Sequence, residues 1–280
     1  MKKIKENLKT KNKKEENKKS DISKNILFIT FFILLAIACI ISLTSNVFLF
    51  KKNEELRDAL VIAEKKEYVK NKVFYDQNEY NYLAIGNSIT KHPICDYWWS
   101  ERGMASTEDG KDYYSLVRDY IKEKYKKSTS RAISFTTWEL QWYDRYEVLS
   151  LLDKYLDQKL NLITIQLSEN VHDRRDQFKK DYKELIDYIK EKCPYTKIIL
   201  IDDFFDKNNH TIKKELAKEM DLGFADLTEI FGNEEYQIGN NAEVKDSDGK
   251  VHKIDNLGVA VHPGDKGMRY IADKVIELIK

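Results

Sequence analysis

Short apolar runs alternating with helical stripes organise the later two-thirds of this 280-residue chain. The runs fall at 82–86, 131–136, 161–167, 196–202 and 224–228, each with the length of a buried parallel strand. Between them apolar residues recur at helical spacing: Tyr113, Leu116, Val117, Tyr120 and Ile121; then Phe178, Tyr182, Leu185, Ile186 and Ile189; finally Met268, Ile271, Ala272, Val275 and Ile279. Such stripes are core-facing surfaces. Strand and helix in alternation predict a three-layer α/β/α sandwich around a parallel sheet. Residues 234–256 interrupt the pattern, and Asp246-Ser247-Asp248-Gly249 between polar segments predicts a small β-hairpin. There are no internal repeats.

The first third reads differently. Ile26 to Phe50 run without a charge, and as a helix they are long enough to cross a ~30 Å hydrocarbon core. Residues 1–24 carry ten lysines against four acids and cannot bury a core, so 1–24 is expected to be a disordered basic tail. With 25–50 as a transmembrane helix, the lysine excess before it places the N-terminus in the cytoplasm and everything after it outside the cell. Ala36-Ile37-Ala38-Cys39 faintly resembles a lipoprotein cleavage site. The apolar stretch continues past Cys39, however, which favours an uncleaved anchor. Residues 51–75 are charged with sparse apolar positions and read as a helical stalk, leaving 76–280 as one domain.

The net charge of +1 hides an asymmetry: the tail contributes +6, so the remainder carries −5. A slightly acidic outer domain argues against nucleic acid as a partner. Cys39, Cys95 and Cys193 show no zinc-site spacing; Cys95 and Cys193 could pair in an oxidising exterior, with two free thiols the favoured reading. Neither a metal nor a cofactor is called for. The oligomeric state is not legible.

The candidate chemistry sits where apolar runs stop. Tyr82-Leu83-Ala84-Ile85 leads into Gly86-Asn87-Ser88-Ile89-Thr90, placing a hydroxyl at the carboxyl end of a strand, where α/β sheets bind ligands. His262-Pro263-Gly264-Asp265 precedes the last helix and offers a base for that serine. The competing reading makes Ser88 a helix cap.

These blocks resemble those of the SGNH (GDSL-like) hydrolases. Gly86-Asn87-Ser88 is similar to their first block, Ser168-Glu169-Asn170 to their third, and His262-Pro263 to their last, in that order over about residues 80–280. The resemblance implies a flavodoxin-like sandwich and ester hydrolysis or acyl transfer, often on acetylated carbohydrates. It implies Ser88 as nucleophile and His262 as base, with the Ser88 N–H and the Asn170 side chain as oxyanion donors. Removing one such donor typically costs about 2.7–4 kcal/mol of barrier stabilisation.

The departures matter as much. The family's acid stands three residues before the histidine, and here that residue is Val259. Valine cannot orient an imidazole, so the site is either a Ser–His dyad or borrows a carboxylate from Glu139, Asp255 or Asp265. The second-block glycine is also absent: Phe135-Thr136-Thr137-Trp138-Glu139 occupies its place, with a backbone N–H near Thr137 as the expected substitute. Asn87 replaces the family's aspartate.

His92 is a candidate pocket residue, whereas His172, His210 and His252 are expected in solvated loops. Trp98, Trp99, Trp138 and Trp142 fall in segments expected around the serine, where exposed indoles would stack on sugar faces or else close over the core as a lid. The whole predicts a membrane-anchored extracellular esterase or acyltransferase acting on an acetylated polysaccharide. The alternative is a catalytically degenerate carbohydrate-binding protein on the same fold.

Overall fold

Seven strands and six α-helices follow one another from Tyr80 in the computed structural model, which describes residues 51–52, 72–172, 175–205 and 207–280. The strands are β1 (Tyr80–Gly86), β2 (Ser128–Ser134), β3 (Leu162–Gln166), β4 (Lys197–Ile201), β5 (Gly223–Ala225), β6 (Glu243–Lys245) and β7 (Val251–Lys253). The helices are α1 (Tyr113–Lys124), α2 (Thr136–Leu140), α3 (Phe178–Lys192), α4 (His210–Glu219), α5 (Leu257–Ala260) and α6 (Asp265–Ile279). The chain divides into two compact units, Met1–Leu60 and Val61–Lys280, and the strands and helices just named all lie in the second. The expected basic tail and membrane span lie outside the described residues, as does the stalk but for 51–52, which are helical, and 72–75. Among the described residues no helix is long and apolar enough to cross a membrane.

Strands β1 to β5 form one parallel sheet in the order β2-β1-β3-β4-β5. This is the flavodoxin-like doubly wound order, whose ligand crevice opens at the carboxyl ends of β1 and β3, where the winding reverses. The predicted strands correspond to these five. β2 starts earlier than its apolar run because it is the edge strand, and only Ile133 among its residues is buried.

Alternation along the strands feeds two cores. Tyr82 and Ala84 face Tyr113, Val117 and Ile121 of α1 and Met268, Ile271 and Val275 of α6. Leu83 and Ile85 face the other way, toward Phe178, Tyr182, Leu185 and Ile189 of α3 and Leu216 of α4. Each fully buried side chain of this size contributes about 1.5–3 kcal/mol. Val73 and Tyr75 also pack into the α3 side, so the core draws in residues upstream of 76. β6 and β7 form the predicted antiparallel hairpin. It packs through Val244 and Ile254 on a third apolar cluster with Trp98, Met104 and Val259.

One element escaped the pattern. α4 carries Lys213 on its buried side, with its ammonium donating to the Leu167 carbonyl (3.1 Å), Ser168 Oγ (3.2 Å) and Asp203 Oδ1 (2.9 Å). Burial alone would lower the pKa of Lys213, but Asp203 beside it raises it, so the ammonium stays charged. Ser168 Oγ donates in turn to Asp203. This network braces Ser168 at φ 126°, a backbone region that disfavours a side chain.

β1 ends where it does because of Gly86. A Cβ there would collide with Thr90 Oγ1 and stand 2.8 Å from the Gln166 carbonyl. Glycine alone lets the 87–90 turn fold back against β3, and the turn is closed by Asn87 N–H donating to Gln166 O (3.1 Å) and Thr90 N–H to Asn87 O (3.0 Å). Gly86→Ala is therefore expected to destabilise the chain by roughly 1–3 kcal/mol, the usual cost of overpacking. Urea unfolding of the full chain measures this, and an unchanged midpoint would contradict the close-approach argument.

Candidate active site

Ser88 sits in the turn after β1, half-buried, and its hydroxyl donates to His262 Nε2 across 2.8 Å. No α-helix begins at this turn, so the helix-cap reading of Ser88 fails; the next helix starts at Tyr113. Asn87 shapes the turn, its Oδ1 accepting from the Ile89 N–H (3.1 Å). Among the described residues no protein acceptor takes the Ser88 N–H, which is left available to an incoming oxygen.

His262 follows α5, whose Asn256 cap accepts from the Val259 N–H (3.1 Å). The imidazole Nδ1 lies 2.7 Å from the carbonyl oxygen of Gly258. A carbonyl only accepts, so Nδ1 carries the proton and Nε2 presents its lone pair to the serine hydroxyl. The ring also packs edge-on against Phe205, centroids 4.9 Å apart. Burial pushes its pKa down from 6.5 to about 4, countered by the Gly258 carbonyl and aided by nearby His92. A neutral, correctly tautomerised imidazole is what a general base requires.

None of the three proposed carboxylates orients the ring. Val259, at the usual acid position, is buried in the cluster with Trp98 and Ile254. Asp255 is exposed, and Asp265 accepts from the Thr107 N–H (2.9 Å) and Oγ1 (2.6 Å). Glu139 is buried in α2 and faces a different set of partners. Its Oε1 accepts from Asn87 Nδ2 (3.1 Å), the Ser168 N–H (2.6 Å) and the Asn170 N–H (3.4 Å). Its Oε2 accepts from Asn170 Nδ2 (2.7 Å). Burial raises the Glu139 pKa, opposed by these bonds from Asn170, Ser168 and Asn87. Through this one carboxylate Asn170 is tied to the residue that precedes Ser88. Thr137 lies buried in the first turn of the same helix.

His92 is half-buried, hydrogen-bonded to the Pro93 carbonyl (2.7 Å), and near enough to His262 to depress its protonation. The indoles divide. Trp98 and Trp138 are fully buried, which removes them as substrate-facing residues: Trp98 lies in the cluster under the hairpin and Trp138 packs edge-on against Tyr182 (5.5 Å). Trp99 is half-buried and stacks on His252 at 4.2 Å. Two histidines expected in solvated loops are likewise held. His252 lies in β7 and pairs with Asp246 (2.8 Å), and His210 opens α4 and pairs with Asp202 (2.7 Å). Asp202, His210 and Asp226 bring one ligand atom each within 4.8 Å. These atoms are already engaged, since Asp226 also pairs with Lys214 (3.0 Å). Cys95 and Cys193 are both free, as expected.

The Gly258 carbonyl and the Glu139 contacts were not read from the sequence. A backbone oxygen leaves no residue signature. Glu139 did leave one, a lone acid inside Phe135-Thr136-Thr137-Trp138-Glu139-Leu140, a mostly buried segment.

No protein-family model matches the chain, and neither does any curated protein. Solved structures do resemble it. An acetyl xylan esterase from Geobacillus stearothermophilus is 15% identical, with 73% of this chain and 97% of that one covered and a TM-score of 0.44. A two-domain esterase active on acetylated mannans is 16% identical over 72% of this chain and 49% of that one, TM-score 0.46. A member of the lipolytic G-D-S-L family from Veillonella parvula is 13% identical over 71% and 97%, TM-score 0.43. At such identities the chemistry rests on the site's own geometry.

The depressed His262 pKa sets a pH signature. The unfolded imidazole binds its proton near 6.5 and the folded one near 4. The group therefore favours folding fully above 6.5, and that contribution fades as pH falls from 6.5 toward 4. In an NMR titration, the imidazole resonance that His262→Gln deletes is expected to stay flat from about pH 8 to about pH 5 and to move only near 4. A midpoint at or above 6.5 would overturn the buried-base geometry.

Proposed function

We propose that this chain is a serine esterase or acyltransferase working through a Ser88–His262 dyad. The observation that carries the reading is the 2.8 Å Ser88 Oγ–His262 Nε2 hydrogen bond, with the opposite ring nitrogen held by Gly258. Ser88 Oγ attacks the ester carbonyl carbon while Nε2 takes the hydroxyl proton. The carbonyl oxygen becomes an oxyanion, facing the Ser88 N–H and an Asn170 Nδ2 hydrogen. Collapse of this intermediate breaks the ester C–O bond, and the imidazolium returns its proton to the departing alkoxide. A water or an acceptor hydroxyl then repeats the sequence on the acyl-enzyme, so hydrolysis and transfer share every residue up to that point.

The acyl group in this reading is acetyl, and the alcohol a carbohydrate on the outer face of a membrane. Support for the carbohydrate comes from the block resemblance and from aromatic side chains left at the surface in the loops after β1 and α2: Tyr97, Tyr143 and Tyr146 are exposed, and Trp142 is half-buried. Support for the location comes from the uncharged 26–50 segment behind a lysine-rich tail. The rival reading, a carbohydrate-binding protein that has lost catalysis, draws on Val259 in place of the acid.

The full chain assayed on a chromogenic acetyl ester separates the two. Activity is expected in the wild type, with Ser88→Ala and His262→Ala each lowering kcat by about 10³-fold or more. A wild type without turnover, or a Ser88→Ala variant that retains it, favours the binding protein. A preference for long acyl chains over acetyl would remove the acetyl assignment while leaving the dyad.

A further inference from the structure

Glu139 is one of the most heavily engaged polar side chains in the molecule, and the acyl-transfer steps above do not use it. We infer that Glu139 is a positioning residue for the oxyanion hole, which fixes the Asn170 carboxamide relative to the Ser88 turn. This rests on the esterase reading and adds to it a residue that holds the Asn170 amide in its donating orientation.

An ionised carboxylate can only accept hydrogen bonds. All four groups that face Glu139 are N–H donors: Asn87 Nδ2, the Ser168 and Asn170 backbone N–H groups, and Asn170 Nδ2. A carboxyl proton would find no acceptor among them, so the arrangement is that of an ionised carboxylate accepting throughout. An acceptor-only partner removes the twofold ambiguity of an amide side chain. Asn170 must turn its NH2 end to Oε2, 2.7 Å away, and its carbonyl end elsewhere. One Nδ2 hydrogen is then spent on Glu139. The other lies about 120° from it in the same plane, free to meet an oxyanion.

The same carboxylate fixes the second donor's neighbourhood. Asn87 Nδ2 reaches Oε1 at 3.1 Å, while Asn87 Oδ1 accepts from the Ile89 N–H, so the turn that carries the Ser88 N–H is anchored on the same group as Asn170. Ser168, with its φ of 126°, is held by a 2.6 Å bond from its N–H to that carboxylate as well. Donors from two loops thereby share one reference point, and displacement of a reacting group by about 1 Å can cost 10²-fold in rate.

The test is a double-variant cycle in the full chain: wild type, Glu139→Gln, Asn170→Ala and the pair, each assayed for kcat and KM on a chromogenic acetyl ester. Glutamine keeps the shape but turns one acceptor into a donor, letting the Asn170 amide rotate. Glu139→Gln is expected to lower kcat roughly tenfold to a hundredfold with KM little changed. Asn170→Ala is expected to cost about 10²–10³-fold, and adding Glu139→Gln to it to cost clearly less than the same change costs in the wild type, the remainder coming through the Ser88 turn. An equal loss in both backgrounds, or none in either, would overturn the inference. A second measurement needs no Glu139 variant. In the wild type, the Nδ2 proton pair that Asn170→Ala deletes from the NMR spectrum should contain one downfield, exchange-protected proton and one ordinary one; two equivalent, fast-exchanging protons would overturn it. Failure of the esterase reading looks different, because the wild type itself would then lack Ser88-dependent turnover.

Discussion

Loops from the carboxyl ends of β1, β2 and β3 meet on one buried carboxylate. Glu139 comes from the short helix after β2, Asn87 from the turn after β1, and Ser168 and Asn170 from the turn after β3. A charge in that position is costly to desolvate unless every lone-pair direction is met by a donor, and four N–H groups meet it. The cost explains the cooperation. No one of the three loops can relax without leaving a buried anion under-satisfied, so the crevice at the sheet's reversal point is held to one shape. The Lys213–Asp203 pair does the same work one layer deeper, where it braces Ser168 in a backbone region that a serine would otherwise leave.

The base is built more economically. A triad carboxylate does two things for its histidine: it sets the tautomer and it stabilises the imidazolium that forms in the reaction. The Gly258 carbonyl accomplishes the first through a bond within four residues of the histidine, which costs the fold little. A neutral dipole contributes less to the second. Burial then depresses the imidazole pKa with no neighbouring anion to restore it. The result is an imidazole that is neutral at ordinary pH and aimed at Ser88, and in the proposed mechanism it would hold the proton it takes less firmly. Val259 cannot be exchanged for an acid without cost, because its side chain is part of the apolar cluster under the hairpin.

Much of this was legible in the chain. The short apolar runs and helical stripes mark the five parallel strands and the helices α1, α3 and α6, because burial of both sheet faces demands continuous apolar strands and one-sided helices. Ser88 and His262 were legible because each stands at the end of a pattern. What was not legible depends on backbone or on distant partners. α4 hides its register because Lys213 occupies a core position. Gly258 acts through its carbonyl, which every residue has. Trp98 and Trp138 read as surface indoles because loops are usually exposed, yet Trp98 sits in the small core under the hairpin and Trp138, on α2, in the large core against α3. Glu139 read as an acid in search of a histidine. Sequence shows that a carboxylate sits in an apolar segment, but not which donors the fold will bring to it.

The residues around Ser88 and His262 depend on one another in two sets. An aspartate at position 87 would set a second carboxylate about 3 Å from Glu139 in a buried site, where two like charges cannot both remain ionised. Asparagine instead supplies the N–H that the Glu139 carboxylate needs while keeping an oxygen for the Ile89 N–H. Asn87 and Glu139 thus satisfy one another, and the Asn170 amide bonds to the same carboxylate. Val259 and Gly258 form a second set: the valine is part of the apolar cluster under the hairpin, and the histidine turns to the carbonyl one residue earlier. Asn87, Glu139, Val259 and Gly258 are thus each matched by a contact elsewhere in the site, and Ser88 and His262 stand in hydrogen-bonding register between them.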